Sequence, residues 1–191
     1  MGRPWFWVLA VGLLAGWPLL SGLLRRPPSV PAVLGTLPPF TLVEPGGARL
    51  DRDRLAGRVW LVGFLDTGCV ACAERLGTAL ERLQYRIRNV GAAAGILEVA
   101  VPSANPVVDV GAELTRRHAN PRQWRTVGGP DARKLLGEVG ALSLGRAAQL
   151  EAGGALALVD ARGRVRAVES VEAPEAFDRL ISQLTLVLNI Q

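Results

Sequence analysis

Two kinds of apolar pattern divide the chain. Trp5 to Leu24 is a run of twenty residues without a charge, which is long enough to cross a hydrocarbon core of about 30 Å. From Phe40 onward the apolar positions fall in short runs and in stripes with spacings of three and four, which are typical of strands and helices. The pattern therefore predicts a membrane-spanning segment followed by a folded α/β domain.

Two interpretations of residues 5–24 compete, a cleaved signal peptide and a retained anchor. The run exceeds the apolar core of about 7–15 residues usual in signal peptides, and no small-residue cleavage site or lipid-bearing cysteine follows it. We predict a short flank at 1–4, an uncleaved anchor at 5–24, a proline-rich linker at 25–39 and one domain at 40–191. An anchored domain with paired cysteines fits export to an oxidising compartment, which in a bacterium is the periplasm.

Strand predictions within the domain rest on continuous apolar runs and turn signals. The runs "RVWLVGFLD" (58–66) and "GILEVAVP" (95–102) are typical of strands buried on both faces of a sheet. A proline–glycine turn predicts a hairpin over 40–50, and "DARG" predicts another over 155–170. The stretch 123–129 is interpreted as a short extended piece.

Helix predictions rest on apolar stripes. A helix is expected to begin around Cys69, because Leu76, Leu80, Leu83 and Ile87 recur on one face. Further helices are predicted at 106–119, at 131–140 and from 174 to the end, with a loop at 140–154. The order of elements predicts a mixed sheet flanked by helices, with an N-terminal β-hairpin: the thioredoxin-like α/β fold, carrying a dithiol where strand meets helix.

Composition excludes some classes of function. Apolar residues make up 49% of the chain and charged residues 20%, as expected for a folded core. The net charge is +5, but Lys134 is the only lysine among 22 basic residues, which indicates a compositional bias rather than a basic patch. Because no arginines alternate with aromatic residues, we expect no nucleic-acid partner.

The two cysteines, Cys69 and Cys72, are the candidate chemistry. At a helix start the dipole and unpaired amides stabilise a thiolate, so we predict that Cys69 attacks the partner and Cys72 resolves the mixed disulfide. Asp66 and Glu74 are expected to be a turn residue and a surface residue. No further cofactor is required for such exchange.

Two neighbouring thiols can also form a structural bridge or bind a metal ion. A bridge closing so short a loop stabilises little, and zinc needs more soft ligands than two thiols and the remote His118 provide. Cu(I) accepts two thiolates, so Cys69 and Cys72 remain open as copper ligands. A peroxidase with Arg75 as its activating arginine is a weaker alternative.

Several stretches resemble the Sco/SenC family across about residues 36–188: "LPPFTLVEPGGARLDRDRLAGRVWLVGFLDTGC", "LEVAVPSANP", "RRHANPRQWRTVGGPDARKLL" and "ALALVDARGRVRAV". The resemblance implies a membrane-anchored, thioredoxin-like protein that assembles the copper centre of cytochrome c oxidase. Like that family, the chain lacks the proline that thioredoxins place before the penultimate strand, and has Gly153-Gly154-Ala155 there.

The chain also departs from the family. The family has three residues between its cysteines and a histidine ligand near residue 155, whereas this chain has two residues and no histidine after His118. His118 is expected to face solvent at a helix end, and Met1 is the only methionine. The resemblance therefore implies a divergent member without the three-ligand copper site.

Two functions follow. The first is an exported, membrane-anchored thiol–disulfide oxidoreductase whose partner is a protein with a cysteine pair, such as an oxidase subunit or a cytochrome apoprotein. The alternative is a non-enzymatic Cu(I) chaperone or assembly factor that uses Cys69 and Cys72.

Overall fold

The computed structural model describes residues 29–190. The predicted anchor at 5–24, and the start of the predicted linker, lie outside these residues. None of the helices that the described residues form is both long enough and apolar enough to cross a membrane.

The described chain forms strands and helices in the following order. The strands are β1 (Gly35–Thr36), β2 (Thr41–Val43), β3 (Arg49–Asp51), β4 (Val59–Asp66), β5 (Ala94–Val101), β6 (Trp124–Gly128), β7 (Ala155–Val159) and β8 (Arg164–Ser170). The helices are α1 (Val70–Ile87), α2 (Val110–Arg116), α3 (Ala132–Ala141), α4 (Ala147–Glu151) and α5 (Pro174–Leu188). Single 3₁₀ turns occur at Asp53–Leu55 and Gly91–Ala93.

These strands join in one mixed sheet, in the order β1-β8-β7-β4-β5-β6-β2-β3. The central strand β4 pairs in parallel with β5, and β5 pairs in parallel with β6. The remaining pairs are antiparallel. The predicted hairpins β2–β3 and β7–β8 are thereby confirmed, and so is the thioredoxin-like mixed sheet.

Helices cover both faces of the sheet. On one face α1 and α5 pack against the sheet through the apolar stripes predicted for them, including Leu76, Leu80 and Leu184. On the other face α3 and α4 do so, with Leu135 and Leu150 in the core. Alternate residues of β4 enter the two cores. Because both faces of this strand are buried, its sequence is almost entirely apolar.

Two predictions in the second half of the domain were wrong. The helix predicted at 106–119 is only α2, because the amides of Val107 and Val108 donate to Thr67 O (2.8 and 3.0 Å) and hold that segment out of the helix. The region 140–154, predicted as a loop, contains α4, a single short helix whose one buried residue is Leu150. Neither stretch has an apolar repeat long enough to mark its boundaries.

Candidate functional site

The two cysteines meet where the central strand enters the first helix. Chain direction reverses at Thr67–Gly68 after β4, and Cys69 then occupies the N-cap position of α1. Cys69 and Cys72 form a disulfide with their Cα atoms 5.2 Å apart. The structure therefore confirms the predicted helix start, and it shows the two cysteines joined by a disulfide.

The helix N-terminus supplies donors to the Cys69 sulfur. Cys69 Sγ accepts a hydrogen bond from the Cys72 amide at 3.1 Å, while Cys69 O accepts from the Ala73 amide at 3.0 Å. Both cysteines are half-buried. Amide donors and the positive end of a helix dipole favour an anion at this position, so the same arrangement stabilises a Cys69 thiolate once the bridge is reduced.

The turn before Cys69 is fixed by a carboxylate and a hydroxyl. Asp66 Oδ1 accepts from the Gly68 amide at 2.9 Å, and Asp66 O accepts from the Cys69 amide at 3.2 Å. Thr67 Oγ1 donates to Val101 O and accepts from the Ser103 amide at 3.0 Å. Asp66 is thus the turn residue that the sequence predicted, and the segment after β5 is tied to the same turn.

On one side of the disulfide the chain closes tightly over Cys72. Gly153 has a φ of +67°, and a Cβ there would lie 2.7 Å from Cys72 O, so only glycine allows this approach. The amides of Gly153 and Gly154 donate to Leu150 O and Gln149 O at 3.2 and 2.8 Å. The position where thioredoxins have their proline thus lies against Cys72.

Arg75 holds this closed side in place. Its Nη1 donates to Ala152 O at 2.9 Å, and its Nε lies 3.4 Å from a Glu172 carboxylate oxygen. Arg75, the candidate activating arginine of a peroxidase, therefore contacts the segment around Gly153.

The opposite side of the disulfide is an open groove. Its walls are the first turns of α1 and α2, and it encloses about 210 Å³. Its apolar lining includes two strongly exposed valines, Val70 at 63% and Val107 at 62%. It is also lined by Ala73, Val108, Ala112, Glu74, Asp109, Glu113 and Arg116.

The negative charge of Glu74 is paired with two arginines at the end of α2. Arg116 and Arg117 lie 2.7 and 2.9 Å from Glu74 Oε2. The hydrogen bond from Arg116, followed by the charge of Arg117, lowers the pKa of Glu74. Glu74 is an exposed surface residue, as predicted.

Two buried polar residues behind this wall were not predicted. The Arg117 side chain is only 2% exposed and crosses α1 at Gly77, where a Cβ would lie 2.0 Å from Arg117 Nε. Glu98 on β5 accepts hydrogen bonds from Trp124 Nε1 and Thr126 Oγ1 at 3.1 and 2.8 Å, and burial raises its pKa. The only signal in the sequence for either residue was that Glu98 is a single acidic residue inside an apolar run.

The only histidine lies away from the cysteines. His118 is exposed, follows the end of α2 and has a φ of +49°, and its carbonyl oxygen accepts from Gln84 Nε2 at 3.3 Å. Gln84 lies twelve residues beyond Cys72 in α1, which places it about 18 Å further along the helix. Residues 29–190 contain no group of three or more His, Cys, Asp and Glu side chains placed to hold a metal. The residues described therefore do not provide a three-ligand copper site.

The fold is thioredoxin-like, with a disulfide where the central strand meets the first helix. No protein-family profile matches the sequence, and no curated protein matches it. Solved structures do match, and they include members of the Sco family.

One such structure is a SCO1/SenC family lipoprotein from Bacillus anthracis, with 15% identity over 80% of this chain and 95% of that chain, and a TM-score of 0.61. Another is BsSco, of the Sco family of cytochrome c oxidase assembly proteins, in which a disulfide switch was identified. It has 19% identity over 87% of this chain and 100% of that chain, and a TM-score of 0.61. The thioredoxin domain of a thiol-disulfide oxidoreductase from Bacteroides vulgatus has 16% identity over 80% and 98%, with a TM-score of 0.56. The resemblance to Sco/SenC proteins is thus confirmed in structure, and at these identities it establishes the fold.

Proposed function

We propose that the chain is a membrane-anchored, exported thiol–disulfide oxidoreductase on a Sco/SenC-like scaffold, and that it serves the maturation of cytochrome c oxidase. The observation that carries the proposal is the Cys69–Cys72 disulfide at the N-terminus of α1, with its first sulfur accepting a helix amide. The likeness to Sco assembly proteins and to a thiol-disulfide oxidoreductase supports both the chemistry and its context.

The proposed exchange moves two electrons from the reduced chain to a partner disulfide. The Cys69 thiolate attacks one partner sulfur, the partner's S–S bond breaks, and its other sulfur leaves as a thiolate that takes up a proton. Cys72 loses its proton to solvent and attacks Cys69 Sγ, and the mixed disulfide breaks. The partner departs as a dithiol, and the Cys69–Cys72 bridge remains.

The test is single-turnover exchange between the reduced full-length chain in detergent and a peptide with an internal disulfide. We expect Cys72→Ser to accumulate a mixed disulfide through Cys69, and Cys69→Ser to give no reaction. Full turnover by either variant would contradict the proposal. In cells that lack the chain, we expect cytochrome oxidase activity to fall and to be restored by the wild type but not by Cys69→Ser; unchanged oxidase activity would contradict the proposed context.

A copper-carrying role is the second candidate, and the adjacency of the two sulfurs favours it. Once reduced, Cys69 and Cys72 present two thiolates to one Cu(I) ion, whose remaining ligand would come from the partner that receives it. Anaerobic titration against a mild competing ligand is expected to give one Cu(I) per reduced chain and none per oxidised chain. Failure to retain copper in the reduced chain would remove this candidate and leave the redox proposal intact.

A further inference from the structure

The surface around the disulfide is asymmetric, and the closed side offers little to a partner's backbone. Both amides of Gly153–Gly154 donate within the chain, and Gly154 O accepts from the Val171 amide at 2.9 Å. Arg75 and Glu172 flank the same segment. An extended peptide that paired with this segment would have to break bonds that the chain already makes.

The open side, in contrast, is an apolar groove with fixed walls. Val107 and Val108 are held in place because their amides donate to Thr67 O. Asp109 caps α2 by accepting from the Gly111 and Ala112 amides at 2.9 and 3.1 Å. The valines at the rim are therefore exposed on an ordered segment, where they can contact a partner without further folding.

The charges at the rim favour a basic partner. Glu74 and Glu113 are paired with Arg116. Asp109 uses Oδ1 for the helix cap, and no Lys or Arg within residues 29–190 pairs with its carboxylate. The groove thus presents an acidic edge on a chain whose net charge is +5.

From these features we propose that the groove binds an extended segment of the redox partner, taking the apolar side chain beside the reacting cysteine while Asp109 faces a neighbouring Lys or Arg. The inference rests on the proposed function and specifies its substrate class. The groove begins at Val70, next to Cys69, so a segment seated in it brings its own disulfide to the Cys69 sulfur.

The experiment compares three cyclic disulfide peptides, which carry Val and Arg, Ser and Arg, or Val and Glu beside the attacked cysteine. Bis(2-hydroxyethyl) disulfide, which has no side chain for the groove, is the reference oxidant. We expect the reduced full-length chain to react at least about ten-fold faster with the Val/Arg peptide than with the Ser/Arg peptide, which is the scale on which apolar pockets discriminate. We also expect it to react faster with the Val/Arg peptide than with the Val/Glu peptide. Val107→Ser is expected to abolish the preference for Val. Asp109→Asn, which keeps a helix cap, is expected to abolish the preference for Arg. Tyr85→Ser, at the far end of α1, serves as the matched control and should change neither.

Each remaining outcome has a defined meaning. If the chain reacts with bis(2-hydroxyethyl) disulfide but treats the three peptides alike, or if Val107→Ser leaves the preference for Val intact, the groove proposal fails and the redox function stands. If the chain reacts with none of these disulfides, the proposed function fails and the groove proposal fails with it. If the native mass shows a dimer that Val107→Ser dissociates, the groove belongs to a second copy of this chain, and the proposal is overturned.

Discussion

The close contact between Gly153 and the cysteine helix gives a prediction that can be worked out quantitatively. Gly153→Ala introduces two costs. An L-residue with a φ of +67° costs about 1–2 kcal/mol relative to glycine, and the new Cβ lies 2.7 Å from Cys72 O. Relief of such overpacking adds about 1–3 kcal/mol, because backbone rather than a flexible side chain must move.

A matched glycine separates these two costs. Gly91 has a φ of +65°, and a Cβ there meets nothing within 4 Å. Gly91→Ala should therefore lose only the conformational part, about 1–2 kcal/mol. Gly153→Ala is expected to be the more destabilised of the two by at least about 1 kcal/mol.

Chemical denaturation of the full-length chain, followed by circular dichroism, measures this difference in the free energy of unfolding. A second measurement is alkylation of Cys72 in the reduced protein, which we expect to be faster in Gly153→Ala because the loop moves off that residue, and unchanged in Gly91→Ala. Equal losses of stability in the two variants, with equal alkylation rates, would refute the view that Gly153 closes this side of the site.

Three other outcomes are expected from the same measurements. Arg117→Met should cost about 1–3 kcal/mol, because the largely buried Glu113 carboxylate loses one of its hydrogen-bond donors, whereas Arg116→Ala on the exposed side should change stability little; similar losses would contradict this. Because burial raises the pKa of Glu98 above its unfolded value, the folded chain holds a proton that the unfolded chain releases, and wild-type stability should fall as pH rises through that interval. Glu98→Gln should match the wild type near pH 4 and exceed it at alkaline pH, and a parallel pH profile would contradict the argument. Reduction of the Cys69–Cys72 bridge should lower the free energy of unfolding by only about 2 kcal/mol, since it opens a four-residue loop; a much larger loss would indicate a structural bridge.

The sequence was informative where one pattern had one physical solution. The run at 58–66 could be buried on both faces only within a sheet, and the stripe of Leu76, Leu80 and Leu83 fitted a helix on that sheet. Cys69 and Cys72 were therefore located correctly, at the junction of strand and helix.

The features of the site that the sequence did not predict depend on contacts between residues far apart in the chain. Nothing in "ELTRRHANP" indicates that Arg117 is buried, because that follows from a glycine forty residues earlier in the chain. The groove beside Val70 depends on Val107 and Val108, which were assigned to a helix because their bonds to Thr67 have no local signature. Apolar periodicity predicts which face of an element is buried, but it does not predict which exposed residues of two elements line the same cavity.

The position of Arg117 over Gly77 has a mechanical consequence. The arginine ties the two helices that form the groove by charge and by close fit, so the cysteine helix and its neighbour are expected to move as one body. The width of the groove is then a fixed dimension of the fold rather than an adjustable opening. A disturbance that separates the two helices would alter both the clearance offered to a partner's side chain and the alignment of the helix that carries the sulfur atoms.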